Sequence, residues 1–305
     1  MSRPRIGLAL GGGAARGWAH MGVIHALEES GIHPDVVAGT SVGALVGGIY
    51  AAGRLKVFED WVRGLDRIEV ARYLDVRLLA RGGLIEGERL ISFFRQSMGD
   101  PRLDELRLPF GAVATNLGTG HEVWLREGPL WEALRASFAL PGLFTPVRSG
   151  EQWLVDGGLV NPVPVSLCRA LGAEIVIAVN LNGDIVGRHL RRESSPDLVS
   201  RGVESTLLER FTGELRDRAN HWVREIGIEP DRPGMFEVVA SAINVMQDRI
   251  TRSRMAGDPP ELLLSPRLSH IALMEFDRAD EAIAVGRHCV ERNRMAIEEL
   301  RRYLG

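Results

Sequence analysis

Apolar and polar residues along this chain change period in blocks. Arg5 to Leu10 is a short apolar run ended by three glycines, and Trp18 to Glu29 then carries apolar residues at helical spacing. Val36, Val37 and Ala38 close a second apolar run, and beyond a tight turn the stretch from Ala44 to Ala52 reads as a closely packed helix. Further on, the pattern predicts a helix around Gly87 to Met98 and a strand near Phe110 to Thr115. A helix from Val165 to Gly172 then precedes a strand from Ile175 to Asn180. Strands alternating with helices predict an α/β fold in which a mostly parallel central sheet is flanked by helices. Ligands of such folds sit beyond the carboxyl ends of the strands.

The second half is less regular. Residues 184–234 are dense in arginine and glutamate with only short apolar stretches, which fits helices over a cleft or a flexible segment. From Met235, the residues Phe236, Val239, Ala240, Ile243 and Ile250 fit one helix face, and Ala282, Ile283, Cys289, Ala296 and Leu300 fit another; both stripes are read as core packing. Residues 36–53 are uncharged and approach the ~20 residues of a membrane span. Their glycines favour a buried strand, turn and helix, so no transmembrane segment is expected. Arg3 and Arg5 imitate the start of a signal peptide, but the glycines and Arg16 interrupt the apolar region.

Composition changes this picture little. The 305 residues can bury one large core, and one domain over 1–305 is expected. With 37 basic against 40 acidic residues, the formal net charge of -3 gives no reason to expect a nucleic-acid partner. Cys168 and Cys289 define no disulfide framework, which suits a cytoplasmic protein. The scattered histidines lack zinc spacing, so no metal site is expected.

Three motifs carry candidate chemistry. Gly39-Thr40-Ser41-Val42-Gly43 is a Gly-x-Ser-x-Gly elbow between a strand and a helix, the setting of a nucleophilic serine. Gly39 and Gly43 flank a reversal too sharp for side chains, and the helix dipole favours charge developing on Ser41. Gly11, Gly12 and Gly13 end the first strand, followed by Arg16 and Gly17. Trp18 stands where a phosphate loop needs lysine, and the dinucleotide spacing also fails. Two readings remain: backbone donors for an oxyanion, or a tight turn for close packing. Asp156, followed by Gly157 and Gly158, ends an apolar strand and can aim a carboxylate into a cleft, although such a sequence also makes an ordinary turn.

Together these motifs resemble the patatin-like phospholipase family, in particular the bacterial branch related to the catalytic region of neuropathy target esterase. The likeness rests on the glycine loop with Arg16, the Ser41 elbow, Ala114 to Gly120, Ala136 to Pro146, and Asp156-Gly157-Gly158 followed by Asn161, Pro162 and Pro164. It implies a three-layer α/β fold and hydrolysis of carboxylic esters of lipids, of phospholipase A or lysophospholipase type. It further implies a dyad with Ser41 as nucleophile and Asp156 as general base, and an oxyanion hole from Gly11, Gly12 and Gly13. No cofactor is implied, and the partner is a lipid ester, met by peripheral contact at a membrane surface. Arg16 either supports the loop or meets an anionic head group. An aspartate with an ordinary pKa near 3.9 is a poor base for a serine, so the dyad calls for a dry cleft that raises it.

Two competing readings stay open. A Ser-Asp-His esterase needs a histidine after the acid; of His189, His221, His270 and His288, His270 is best placed, after a strand and a turn. A non-catalytic regulatory or lipid-binding protein on the same scaffold would keep its biological activity after Ser41→Ala.

Overall fold

The computed structural model describes residues 3–66, 68–70, 85, 87–184 and 235–304. The charge-rich stretch expected as a cover lies outside them from residue 185 to residue 234, and so do the side chains of Phe236 and Ala240. In chain order the strands and α-helices are β1 (Ile6–Leu10), α1 (Ala19–Glu29), β2 (Val36–Thr40), α2 (Val42–Ala51), α3 (Leu55–Arg63), α4 (Glu88–Met98), β3 (Phe110–Asn116), β4 (Glu122–Leu125) and α5 (Leu130–Ser137). They continue as β5 (Val147–Ser149), β6 (Gln152–Asp156), α6 (Val165–Ala170), β7 (Ile175–Val179), α7 (Met235–Gly257), β8 (Leu262–Leu264), α8 (Ala279–Arg292) and α9 (Arg294–Leu304).

The strands form one sheet in the order β5-β6-β3-β2-β1-β7-β8, with β4 also paired to β3. The run β3-β2-β1-β7-β8 is parallel throughout, and β4, β5 and β6 add antiparallel pairings. The expected α/β architecture, a mostly parallel sheet between helices, is therefore observed. Successive strand residues point to opposite faces, and the core divides accordingly. Leu8, Leu10, Val37, Ile177 and Val179 join the larger core with Ile24, Leu27, Ile49 and Phe58. Ala9, Val36, Ala38, Val176 and Ala178 join the smaller one with Leu167 and Cys168 of α6. Alanines on this second face let α6 lie close to the sheet.

The pairing register sets up the site. Residues Ala112 and Val113 of β3 pair with β2 and also with β4, so those two strands lie on opposite edges of β3. Ala114 and Thr115 pair with β4 and also with β6, so β6 occupies the same edge as β2. That edge passes from one strand to the other between two consecutive residues: Thr40 faces Val113, and Asp156 faces Ala114. With strand residues rising about 3.3 Å each, the ends of β2 and β6 meet head-on. Asp156 occupies the place that β2 vacates when the chain turns away at Ser41. The approach differs from the simple expectation for parallel strands, because β6 runs antiparallel and brings Asp156 in from the opposite direction.

Candidate active site

Ser41 begins at its backbone. It is one of two non-glycine residues with positive φ among the described residues, at φ 57°, and the other is Ala14 at φ 50°. Such a conformation costs of order 1–3 kcal/mol and persists only where the surroundings impose it. Here the Ser41 amide donates to Ser137 Oγ at 2.9 Å, and that hydroxyl donates to the Val113 carbonyl at 2.6 Å. The elbow is thus pinned to the β3 residue where the edge changes hands. The tight turn also explains its glycines, since a side chain at Gly43 would collide with the Leu10 and Gly11 carbonyls, and one at Gly39 with the Ala44 backbone. α2 starts at Val42, which places Ser41 at the positive end of that helix.

Asp156 is fully buried. Its Oδ1 accepts the Gly158 amide at 2.7 Å, while among the described residues its Oδ2 makes no full hydrogen bond. Burial pushes its pKa up from 3.8 to about 6, opposed by the nearby Ser41 hydroxyl and the Gly158 amide, both of which favour the carboxylate. Its backbone is held on two sides: the Asp156 amide donates to the Ala139 carbonyl at 2.9 Å, and Thr115 Oγ1 donates to the Asp156 carbonyl at 2.8 Å. Gly157 lies against the Val113 carbonyl so closely that a side chain would overlap it.

The glycine loop runs alongside. A Cβ on Gly12 would stand 3.4 Å from the Ser41 Cβ, so loop and serine are neighbours. The Gly11 and Gly12 amides are already engaged, donating to the Val179 and Pro162 carbonyls at 3.0 Å each. They fix the loop, and of the three glycines Gly13 is the one whose amide is not engaged in this way among the described residues. Among the described residues the Gly13, Ala14 and Val42 amides make no hydrogen bond. The Val42 amide follows from the elbow geometry itself, in which the residue after the serine presents its N–H. The Ser137 anchor lies in the Ala136 to Pro146 run that carries the resemblance, although nothing in that run marks its role. Gly17 packs against the Val42 side chain, leaving no room for one of its own.

Arg16 lies inward, 3% exposed, and donates through Nη1 to Asn182 Oδ1 at 3.2 Å. Burial lowers its pKa to about 10, with the Asp184 charge acting the other way, so it is a cation at neutral pH. His20 is also fully buried, and burial lowers its pKa to about 4. It is therefore neutral and donates from Nε2 to the Gly11 carbonyl at 2.8 Å. No described histidine hydrogen-bonds Ser41 or Asp156. His270 instead pairs with Glu281 at 3.0 Å and His288 with Glu291 at 2.8 Å, and His189 and His221 lie outside the described residues.

A pocket with a cavity volume of about 90 Å³ opens from Ser41. Apart from Ser41 its described lining is apolar, with Leu45, Trp61, Phe94, Phe138 and Phe276 prominent. Part of that wall is an aromatic cluster in which Trp18, Phe58, Trp61, Phe94 and Trp131 meet at centroid separations of 5.0 to 5.7 Å. No described helix is long and apolar enough to cross a membrane. Among the described residues no group of three or more His, Cys, Asp or Glu is placed to hold a metal ion.

Fold and site together define an α/β protein with a strained serine elbow beside a buried carboxylate. The chain belongs to the patatin-like phospholipase family, whose model matches residues 8–169. An uncharacterised NTE family protein of Mycobacterium tuberculosis is 36% identical, over 94% of this chain and 90% of its own length. Lysophospholipase NTE1 of Pyricularia oryzae is 30% identical over 92% of this chain, which spans 18% of that protein. A search of solved structures finds VipD from Legionella pneumophila, with a TM-score of 0.47 and 13% identity over 97% of this chain and 67% of that one.

Proposed function

We propose that this chain is a serine hydrolase cleaving carboxylic esters of lipids, of phospholipase A or lysophospholipase type, through Ser41 and Asp156. The observation that carries the reading is the meeting of β2 and β6 on one edge of β3, which sets a strained serine beside a buried carboxylate of raised pKa. A carboxylate with a pKa of about 6 is mostly ionised at neutral pH, yet basic enough to serve a serine hydroxyl.

Ser41 Oγ attacks the acyl carbonyl as its proton passes to Asp156, and the tetrahedral oxyanion lies against the Gly13 amide, assisted by Ala14 and Val42. Collapse expels the alcohol, which takes the proton from Asp156. Water then attacks the acyl-enzyme, giving a proton to Asp156, and the collapse of this second intermediate returns it to Ser41. The described lining of the pocket is apolar, which suits an acyl chain, and none of those described residues offers a partner to a charged head group. Family membership and a lysophospholipase among the relatives support a lipid substrate. In this reading 1–305 is one hydrolase domain, cytoplasmic and in peripheral contact with membrane lipid.

Release of fatty acid from lysophosphatidylcholine by wild type and by Ser41→Ala tests the reading. Wild type is expected to hydrolyse it and the variant to lose activity on the order of 10³-fold or more. Equal activity in a folded Ser41→Ala protein would overturn the assignment.

A further inference from the structure

Two buried side chains beyond the family-matched stretch take no part in the steps above. Asn182 follows β7 and Gln247 lies in α7, and they are 4% and 6% exposed. Asn182 Nδ2 donates to Gln247 Oε1 at 3.1 Å, and Asn182 Oδ1 accepts from Arg16 Nη1 at 3.2 Å. The Asn182 amide donates to Asn180 Oδ1 at 3.0 Å, which fixes the residue's place. At the other end, Gln247 Nε2 lies beside Gly158, 2.4 Å from where a Cβ on that glycine would stand. Gly158 in turn donates to Asp156 Oδ1 at 2.7 Å. A continuous run of contacts therefore joins Arg16, on the turn after the glycine loop, to the carboxylate beside Ser41.

Stability alone gives a poor reason for this arrangement. Burying two primary amides and a guanidinium is unfavourable unless every group is bonded, and among the described residues Arg16 Nε has no hydrogen-bond partner. Apolar side chains would fill the same space at lower cost. What the amides add is direction: hydrogen bonds fix Arg16, Asn182 and Gln247 relative to one another, and Gln247 lies beside Gly158.

We propose that Asn182 and Gln247 are positioning residues, a clasp that holds the Asp156 carboxylate in register with the glycine loop; the assignment rests on the Ser41 and Asp156 reading. The groups that bear on Asp156 are the Ser41 hydroxyl and the Gly158 amide. On the clasp side stand Arg16 and, bearing on it, Asp184, while Asp248 of α7 is paired with Arg252 at 2.8 Å. Without Gln247, Gly158 loses its backstop and its bond to Asp156 loosens. Because that bond favours the ionised form, the carboxylate then takes up its proton at higher pH.

The test is the pH dependence of kcat/KM for a short soluble ester, p-nitrophenyl butyrate, in wild type, Gln247→Met and Gln247→Glu, with Ser41→Ala as blank and melting temperatures recorded. Gln247→Met removes the hydrogen bond at similar volume. Gln247→Glu keeps the acceptor for Asn182 and adds a negative charge facing Gly158. The acid limb is expected to rise by roughly half a pH unit in Gln247→Met and further in Gln247→Glu. A limb at the wild-type position in both folded variants would overturn the clasp, whereas activity surviving Ser41→Ala would overturn the dyad beneath it. If Gln247→Met does not fold, Gln247→Glu alone decides.

Discussion

At the scale of single residues, the candidate site is a place where stability is given up. Ser41 holds a φ of 57°, a conformation that glycine adopts without penalty. Ser41→Gly should therefore raise the melting temperature by an amount equivalent to about 1 kcal/mol while abolishing esterase activity; a lower melting temperature would show that the elbow is unstrained. Asp156 offers a second case with a definite sign. Its folded pKa, about 6, lies above its ordinary 3.8, so the native state binds the proton more tightly than the unfolded chain. The stabilisation this brings is complete below pH 3.8 and is lost as pH rises through 6. A shift of that size corresponds to on the order of 3 kcal/mol. Asp156→Asn should thus be more stable than wild type at pH 8, and thermal melts should show the advantage vanishing towards pH 4. An advantage that does not change with pH would contradict the raised pKa.

At the scale of elements, much of the fold was legible because period reports burial. β1, β2, β7 and α1 lie within a residue or two of where the apolar pattern puts them, and the elbow follows from Gly39 and Gly43. Ser41 and Asp156 were both expected at strand ends, but the head-on approach of β2 and β6 was not legible, because it depends on β6 pairing antiparallel with β3 across about 40 residues of chain, and no local pattern encodes a partner. α7 shows the limit most plainly. Read as an apolar stripe, it in fact leaves Val239 exposed and Ile243 and Ile250 half-buried, while Gln247, Asp248 and Thr251 are buried. Gln247 bonds Asn182 and Asp248 pairs with Arg252 there, and tertiary context overrides the stripe. Gly43 gives the element-scale prediction: Gly43→Ala forces α2 away from the end of β1, and denaturant unfolding should register a loss on the order of 3 kcal/mol or more. A loss below 1 kcal/mol, with normal activity, would show that the turn has slack.

At the scale of the molecule, the family-matched stretch is not the whole fold. β7 pairs with β1 along its full length, from Ile6 opposite Ile175 to Leu10 opposite Val179, and β8 extends the sheet beyond it. A chain ending at residue 174 would expose that edge and unpair the Gly11 amide from Val179. It should be insoluble or lack a cooperative melt when expressed beside the full chain, and a cooperative melt would show that the first half folds alone.

We propose that Asp156 activates Ser41. The most direct test is the rate at which a fluorophosphonate labels the protein between pH 4.5 and pH 8, followed by intact mass and peptide mapping in wild type, Ser41→Ala and Asp156→Asn. The expected result is one adduct on Ser41, absent from Ser41→Ala, forming in wild type at a rate that climbs through a pH of about 6. Asp156→Asn should label at least 10²-fold more slowly and without that limb. Labelling of Asp156→Asn at the wild-type rate, or an adduct on another residue, would contradict the dyad.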